Sequence, residues 1–176
     1  MIKYLKKSKP EIEKIEDDRK VRTSVEEILT KIKKDGDHAI RFYSEKFDNY
    51  SPNSFRLSDS EIKECLTKVS SKDLEDIKFA QTQIKNFAEI QKDSMKDVES
   101  ETLPGVILGH KNIPVESVGC YVPGGKFPMI ASAHMSVITA SVAGVKRIIA
   151  SAPPQNGSPH PAIVAAMHLG GAHEIY

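Results

Sequence analysis

One stretch near the middle of the chain, residues 118–128, constrains the fold more than any other. Its first part, 118–122, places apolar or strand-forming residues at alternate positions, which favours a β-strand. Pro123-Gly124-Gly125 ends that strand, because glycine permits backbone conformations that are closed to other residues. Pro128 is then suited to the first turn of a helix, where its missing N–H costs nothing. The stretch therefore predicts a strand, a glycine turn and a helix in succession.

This arrangement has one functional and one purely structural interpretation. A strand, a glycine turn and a helix N-terminus can together hold a phosphate or a dinucleotide. The Gly-x-Gly-x-x-Gly fingerprint of dinucleotide-binding turns is absent, however. A tight connection between a strand and a helix, without any ligand, accounts for the same residues. The pattern alone leaves both interpretations open.

Composition argues against several classes of function. The 176 residues carry a formal net charge of +1, so there is no bulk electrostatic reason to bind nucleic acid or an acidic membrane. No apolar run approaches the roughly 20 residues of a membrane span, and the basic N-terminus lacks the apolar core of a signal peptide. Cys65 and Cys120 lie in unlike segments and are predicted to be reduced thiols of a cytoplasmic protein. No group of Cys and His residues has the spacing of a zinc site.

The composition of the chain changes near residue 103. The residues before it are rich in Lys, Glu and Asp and predict helices, whereas those after it include nearly all the Gly and most of the Pro. In the first half, Thr23-Ser24 is expected to cap a helix, and further helices are expected over 37–47, from Ser58 and from Ser71. Their apolar positions, expected to be buried, are Val25, Ile28, Leu29, Ile32, Ile40, Tyr43, Phe47, Ile62, Cys65, Leu66, Val69, Leu74, Ile77, Ala80, Ile84, Phe87 and Ile90.

The second half alternates strands and helices. Strands are predicted over 106–110, 117–122, 146–151 and from His173, and helices over 129–145 and 161–169. The order β-α-β-α-β favours a parallel sheet with right-handed crossovers. The predicted fold class is therefore α/β, with an N-terminal helical region followed by an incomplete Rossmann-like parallel β-α-β-α-β unit.

Three segments follow from this pattern. Residues 1–22 are an N-terminal extension that is disordered or packs on a partner, because they show little apolar periodicity. Residues 23–116 form the mostly helical part of a first domain. Residues 117–176 form a truncated Rossmann-like domain, and ligands of such domains bind at the carboxyl ends of the strands.

Candidate chemical residues lie around the glycine turn. Tyr121 is placed at the carboxyl end of its strand, where an aromatic ring can cover a cofactor; the alternative is a core aromatic. Lys126, Ser132 and His134, with the amides of Gly124-Gly125, can form an anion pocket with the dipole of the helix. The alternative is a solvated Lys126 and a His134 that lies on the surface or packs in the core.

Several motifs along nearly the whole chain resemble the histidinol dehydrogenase family. The matching runs are 118–125, 140–148, Pro153-Pro154 and 170–176, with 36–40, Tyr43, Phe47-Asp48, 84–87 and Gln91 upstream. The run Tyr-Val-Pro-Gly-Gly followed by a later Val-Ala-Gly-Val is the quite specific part of this resemblance.

The resemblance implies a homodimer that depends on NAD and zinc. Such enzymes oxidise a primary alcohol through an aldehyde to a carboxylate, with two hydride transfers to NAD. The family's Tyr and Pro that line the NAD site fall on Tyr121 and Pro123, so 117–176 is expected to be the NAD-binding domain, with Gly124 and Gly125 also at the cofactor. The family's zinc ligands and catalytic Glu-His pair would lie further along the chain. We therefore expect no catalytic or metal residue within these 176 residues, an N-terminal fragment of a longer protein, and no turnover by the fragment alone.

The substrate implied by the resemblance is a choice between two alcohols. The stretch 130–136, Ala88 and Gly109-His110-Lys111 look more like the paralogous sulfopropanediol dehydrogenases, which oxidise a dihydroxypropane sulfonate to sulfolactate. Lys126 and a protonated His134 would attract a sulfonate and repel a cationic amino alcohol. The alternative is a histidinol dehydrogenase of histidine biosynthesis.

Two other classes of function remain open at this stage. The chain can be a binding module that holds a nucleotide or an anion without chemistry, in which case NAD affinity without turnover is expected. It can also be an assembly piece, whose amphipathic N-terminal helices serve to form a dimer.

Overall fold

The computed structural model of the chain describes residues 11–124 and 127–176, with side chains from residue 15 onward. Contacts divide the chain into two compact units, Met1–Ser51 and Pro52–Tyr176. Within the described residues, no helix combines the length and the apolar character that a membrane crossing requires.

The first unit is a pair of helices. α1 spans Glu11–Asp35 and α2 spans Asp37–Asp48, with Gly36 between them at a φ of 56°. Glycine adopts a positive φ without steric cost, so α2 can begin directly after Gly36 without an intervening loop. Lys31 of α1 lies over the ring of Phe42 of α2, with its Nζ 4.0 Å from the ring centroid. This cation–π contact helps to hold the two helices together.

The helix start predicted at Thr23-Ser24 is wrong. Thr23 lies inside α1, and its hydroxyl donates a hydrogen bond to the carbonyl oxygen of Arg19 at 3.0 Å. The residues before Thr23 include many Glu, Lys and Arg, which are good helix formers, so the helix extends towards the N-terminus past the expected cap. A hydroxyl in a helix interior can bond the carbonyl four residues earlier, and Thr23 does so.

Most apolar side chains predicted to be buried in the first unit are exposed instead. Val25, Leu29, Ile40 and Phe47 are all exposed, and Ala39 is the buried residue of α2. Each helix of a pair covers only one stripe of its partner, so further apolar positions remain on the surface.

The second unit begins with two helices whose starts agree with the predictions. α3 spans Asp59–Thr67 and α4 spans Ser71–Ser94. Ser58 and Glu61 form a capping box at α3, in which the Ser58 N–H donates to Glu61 Oε2 at 2.7 Å. The cap satisfies backbone groups that the first turn of the helix leaves without partners.

The buried face of α4 only partly matches the prediction. Ile77 is buried as expected, whereas Phe87 and Ile90 are exposed. Gln81 and Ala88 are buried in their place. Gln81 follows Ile77 by four residues and Ala88 follows Gln81 by seven, so all three share one face of the helix.

A β-hairpin follows α4. β1 spans Val98–Leu103 and pairs antiparallel with β2, Val106–His110, of which only β2 was expected. β1 was missed because its sequence is mostly polar, and it becomes a strand through its pairing, with Ser100 opposite Leu108. Every residue of both strands is exposed.

A parallel sheet completes the unit. Its strands are β3, Ser117–Tyr121, β4, Arg147–Ser151, and β5, Glu174–Ile175, in the order β3-β4-β5. Both neighbouring pairs are parallel, as the β-α-β-α-β pattern predicts. The mixed α/β fold class is therefore confirmed.

Two helical crossovers connect these strands. The first consists of α5, Ile130–Ala133, a π-helical turn, His134–Ile138, and α6, Thr139–Ala143. The second is α7, Pro161–Leu169, which begins with its proline in the first turn. A π-helical turn inserts one extra residue into a helix and is frequent at functional sites.

The core of the second unit lies between the sheet and its helices. Fully buried side chains come from the sheet and from α7, among them Val122, Ile148, Ile163, Met167 and Ile175. Buried residues of α3 and α4 belong to the same cluster. The contacts between residues divide the chain after Ser51. The division predicted from the sequence, into 1–22, 23–116 and 117–176, stays a prediction.

A network of ion pairs lies at the amino end of the parallel sheet. Arg147 Nε donates to Glu174 Oε1 at 2.7 Å, joining β4 to β5, and Arg56 forms a second ion pair with Glu174 at 3.3 Å. The hydrogen bonds from Arg147 and Tyr176 lower the pKa of Glu174 to about 2. The Leu57 N–H donates to the Ile175 carbonyl oxygen at 2.8 Å, so residues 56–57 bind along the edge of β5.

Candidate functional site

The carboxyl ends of the three parallel strands meet at one edge of the sheet. Tyr121 of β3 lies opposite Ser151 of β4, and the Val122 N–H donates to the Ser151 carbonyl oxygen at 2.8 Å. The Ala152 N–H donates to the Tyr176 carbonyl oxygen at 3.1 Å, which brings the end of β5 to the same edge. We name this set, 121–124, 151–154 and Tyr176, the carboxyl edge.

Gly124 is required at the carboxyl edge by a close approach of two loops. A Cβ atom built on Gly124 would lie 2.9 Å from Cγ and 3.3 Å from Cδ of Pro153. The loop after β3 therefore packs directly on the loop after β4, and the absence of a side chain makes that contact possible. Pro123, beside it, is exposed.

Tyr121 presents its side chain at this edge. It is 65% exposed, whereas the next residue, Val122, is fully buried. The alternation of a strand explains the difference, because successive side chains point to opposite faces. The interpretation of Tyr121 as a core aromatic is therefore wrong, and its ring is free to cover a ligand. Its role at a cofactor stays a prediction.

Two of the predicted site residues, Gly125 and Lys126, lie outside the described residues. The description resumes at Phe127, which is exposed, and α5 follows. The anion pocket expected from Lys126 and the Gly125 amide stays a prediction.

Ser132 lies within α5 and is half-buried. Its carbonyl oxygen accepts a hydrogen bond from the Ser136 hydroxyl at 2.7 Å. This bond lies at the start of the π-helical turn, where one of the ordinary helical bonds is displaced.

His134 is placed in the core. It is 5% exposed, and its Nδ1 lies 3.2 Å from Nε2 of Gln81 on α4. Burial lowers the pKa of His134, because the charged imidazolium loses its hydration. The packing interpretation of His134 therefore fits the described chain, and the protonated His134 expected to attract a sulfonate does not. Any positive charge that attracts an anion to the predicted pocket therefore has to come from a group other than His134.

Gln81 was missed by the sequence analysis. Its Nε2 donates to the Ala166 carbonyl oxygen of α7 at 2.9 Å, in addition to its approach to His134. A signal for it exists in the sequence, since Gln81 is a polar residue on the same helix face as Ile77 and Ile84. A polar residue on an apolar face points to a buried hydrogen bond.

His160 is half-buried. It precedes α7 in the loop that begins at the carboxyl edge, and its Nδ1 is buried without a hydrogen-bond partner among the described residues. His168, in the last turn of α7, is exposed.

The electrostatic character of the carboxyl edge follows from the sequence around it. No Asp or Glu occurs between residues 117 and 173, while the same span includes Lys126, Lys146 and Arg147. The strands β3 and β4 and both crossovers therefore carry no carboxylate that could oppose an anionic ligand at the carboxyl edge. The carboxylate of β5, Glu174, is paired with Arg147 and Arg56.

Neither a zinc site nor a reactive thiol is found in the described part of the chain. No group of three or more His, Cys, Asp or Glu residues is gathered there in a way that could hold a metal ion. Cys65 and Cys120 are both buried and are not joined in a disulfide. Burial raises the pKa of both thiols, which disfavours the reactive thiolate.

The fold and this edge define a class of protein. It is a mixed α/β protein, with helices followed by a Rossmann-like parallel unit whose carboxyl edge exposes an aromatic ring, in a segment, 117–173, without Asp or Glu. The family model described as histidinol dehydrogenase matches residues 12–176. The chain belongs to the histidinol dehydrogenase family.

Similar proteins agree with this assignment. The chain is 52% identical over 176 residues to a histidinol dehydrogenase homolog of Shouchella clausii, covering 100% of this chain and 42% of that protein. It is 46% identical over 175 residues to the sulfopropanediol 3-dehydrogenase of Ruegeria pomeroyi, covering 99% of this chain and 40% of that protein. The crystal structure of histidinol dehydrogenase from Elizabethkingia anophelis superposes with a TM-score of 0.82 at 29% identity, covering 98% of this chain and 37% of that one. The chain thus spans about two fifths of the length of these relatives.

Proposed function

We propose that the whole protein carrying this chain is an alcohol dehydrogenase that depends on NAD and zinc. It oxidises a primary alcohol through an aldehyde to a carboxylate. The observation that carries the proposal is the carboxyl edge, where the exposed Tyr121 ring stands beside the Gly124–Pro153 contact in a segment without carboxylates. Membership of a family of dehydrogenases supports the reaction class.

The residues of the carboxyl edge fit a dinucleotide. We propose that NAD binds at Tyr121, Pro123, Gly124 and Gly125. The Tyr121 ring would cover part of the cofactor, and the two glycines, which lack side chains, would let the cofactor approach the backbone closely. The lack of Asp and Glu between 117 and 173 supports the binding of a pyrophosphate. NAD, when bound, accepts the hydride released by the alcohol carbon.

The described residues do not fit zinc, since no group of metal ligands is gathered among them. We therefore propose that zinc and the catalytic residues are held outside these 176 residues, and we assign no step to zinc here. A chain of this length alone is then expected to bind NAD without turnover, as a nucleotide-binding module.

We propose a sulfonate diol as the substrate, with 2,3-dihydroxypropane-1-sulfonate as the specific compound. The 46% identity to a sulfopropanediol 3-dehydrogenase supports this choice, and so does the absence, between 117 and 173, of Asp and Glu residues that would attract a cationic amino alcohol. Lys126 is proposed to attract the sulfonate, with Ser132 nearby. His134 takes part as a neutral group, because burial disfavours its charged form.

Histidinol is the alternative substrate. The likeness to the Elizabethkingia anophelis structure at a TM-score of 0.82 favours it, because that protein is a histidinol dehydrogenase. The fold of the described chain is compatible with both alcohols.

We also propose that the protein is a cytoplasmic homodimer. Exposed apolar side chains of the first unit, such as Leu29, Phe42 and Phe47, support an interface with a second subunit. The unpaired Cys65 and Cys120 are consistent with a reducing compartment. Size-exclusion chromatography with light scattering would measure the mass, and a monomer would count against the dimer.

The first experiment is NADH production by the whole protein with zinc, comparing 2,3-dihydroxypropane-1-sulfonate with histidinol. Turnover of the sulfonate diol, with KM raised by Lys126→Ala, is expected. Lys146→Ala is the matched control, because Lys146 is an exposed lysine that precedes β4 at the opposite end of the sheet. Turnover of histidinol alone would overturn the proposed substrate.

The second experiment tests the NAD site. NAD is titrated calorimetrically into wild type, Tyr121→Ala and Phe79→Ala. Phe79 is a control of similar exposure, 69%, that lies on α4 and is not one of the residues of the carboxyl edge. Weaker binding by Tyr121→Ala alone is expected, and equal affinities of the three proteins would contradict the proposed site.

A further inference from the structure

We propose that Gln81 is a positioning residue for the carboxyl edge. Its side-chain amide holds His134 as the neutral tautomer with the proton on Nε2, and it ties the π-helical turn to α7. The part of this inference that concerns NAD rests on the proposed function, whereas the tautomer does not.

The contacts of Gln81 join three helices in the core. Gln81 lies on α4 and is 7% exposed. Its Nε2 atom is 2.9 Å from the Ala166 carbonyl oxygen of α7 and 3.2 Å from His134 Nδ1 in the π-helical turn. One amide nitrogen thus bonds to both crossover helices of the parallel sheet.

The orientation of the amide follows from its partners. A backbone carbonyl oxygen can only accept a hydrogen bond, so the Gln81 atom that faces Ala166 has to be the NH2 group. That group carries two hydrogens, and the second is directed to His134 Nδ1. His134 Nδ1 is therefore an acceptor, and the proton of the neutral ring is on Nε2.

This contact opposes protonation of His134. An imidazolium would place an N–H at Nδ1 against the NH2 hydrogens of Gln81, with no acceptor between them. The burial of His134 acts in the same direction, since it lowers the pKa of the ring. The sequence-based hypothesis of a cationic His134 is thereby replaced by that of a fixed, neutral ring.

The positions of the two crossovers decide the shape of the carboxyl edge. The first crossover follows β3 and the second follows β4, so both helices begin where the carboxyl edge lies. Gln81 connects them through His134 and Ala166, which are separated from it by 53 and 85 residues in the sequence. Without the amide, the loops 121–124 and 152–160 lose a restraint on their relative position.

A purely structural glutamine would behave differently from a positioning residue. Its loss would lower the melting temperature and leave the His134 tautomer and the affinity for NAD unchanged. The test therefore measures all three quantities in the same proteins.

The first readout is a long-range 1H–15N correlation spectrum of the 15N-labelled chain, which distinguishes the two tautomers and the imidazolium. The His134 signal is assigned by its absence in His134→Gln. We expect the Nε2–H tautomer in wild type from pH 6 to 8 and a mixed or pH-dependent signal in Gln81→Met. An Nδ1–H tautomer or an imidazolium in wild type would overturn the assignment without any variant of Gln81.

The second readout is the Kd of NAD. Gln81→Met keeps the volume of the side chain and removes both hydrogen bonds, and we expect a Kd raised about fivefold, the equivalent of one neutral hydrogen bond. Lys92→Met is the matched control, because Lys92 Nζ donates to the Val142 carbonyl oxygen at 2.8 Å and so joins α4 to α6. The control is expected to lower the melting temperature without changing the tautomer or the Kd.

The outcomes separate this inference from the proposed function. If wild type binds no NAD, the proposed function fails and the positioning role fails with it, while the spectrum still decides the tautomer. If wild type binds NAD and Gln81→Met changes only the melting temperature, Gln81 is merely structural. If Gln81→Met does not fold, Gln81→Glu is measured instead, and we expect its carboxylate to promote protonation of His134 and weaken NAD binding.

Discussion

The contact between Gly124 and Pro153 makes a quantitative prediction for Gly124→Ala. The new Cβ would lie 2.9 Å from Pro153 Cγ, and the proline ring cannot rotate away as a flexible side chain would. Overpacking of this kind costs about 1–3 kcal/mol. The loss of freedom in the unfolded chain offsets about 0.4–1 kcal/mol of it. We therefore expect a net destabilisation of about 1–2 kcal/mol.

The assay is urea-induced unfolding followed by far-UV circular dichroism. Gly119→Ala is the matched control, because Gly119 lies on the same strand and a Cβ there meets no atom within 4 Å. The control is expected to be neutral or slightly stabilising. With a urea dependence of about 1–3 kcal/mol per molar, Gly124→Ala should lower the midpoint by roughly 0.3–2 M.

A second substitution tests the cause. Pro153→Ala removes the Cγ and Cδ atoms that the new methyl group meets, so it should recover part of the loss when combined with Gly124→Ala. Equal stability of Gly124→Ala and Gly119→Ala would refute the reasoning, and so would the absence of any coupling between Gly124→Ala and Pro153→Ala.

Three further predictions concern pH and helix capping. Glu174, whose pKa is lowered from 4.5 to about 2 chiefly by Arg147, contributes stability above pH 4.5 that is lost as pH falls towards 2. Glu174→Gln should remove this part of the acid unfolding curve, and an unchanged curve would contradict the ion-pair network. Burial lowers the pKa of His134 from 6.5, so below pH 6.5 the unfolded chain binds a proton at His134 more readily than the folded chain does. The free energy of unfolding should therefore fall as the pH drops below 6.5. This slope should vanish in His134→Gln when melting temperatures are compared across pH. Ser58→Ala should cost about 1 kcal/mol in urea unfolding, because it removes the capping box with Glu61; an effect below a few tenths would mean that the cap contributes little.

The neutral state of His134 bears on the choice of substrate. The residue types alone suggested two cations around the glycine turn, whereas the described structure places one of them in the core beside Gln81. Attraction of an anion then depends on Lys126 and on the absence of carboxylates between 117 and 173. A histidinol substrate would require a negative group from outside this segment.

Local signals predicted the elements of the second unit well. The apolar alternation of 118–122, the glycine turn and the crossover helices gave strands and helices close to their observed bounds, and their order gave a parallel sheet. Ser58 and Glu61 similarly marked the start of α3. These features are local because backbone sterics, turn residues and caps act within a few residues.

The tertiary structure decided which faces are buried and which polar groups meet. Leu29 and Phe47 have the periodicity of core residues and are exposed, while Gln81 is polar and buried. β1 became a strand only through its pairing with β2. The Gln81–His134 contact joins residues 53 positions apart, and no local pattern specifies such a pair. Burial and hydrogen bonding across the core depend on how helices and strands pack, and that packing turned a histidine expected in a charged pocket into a neutral residue of the core.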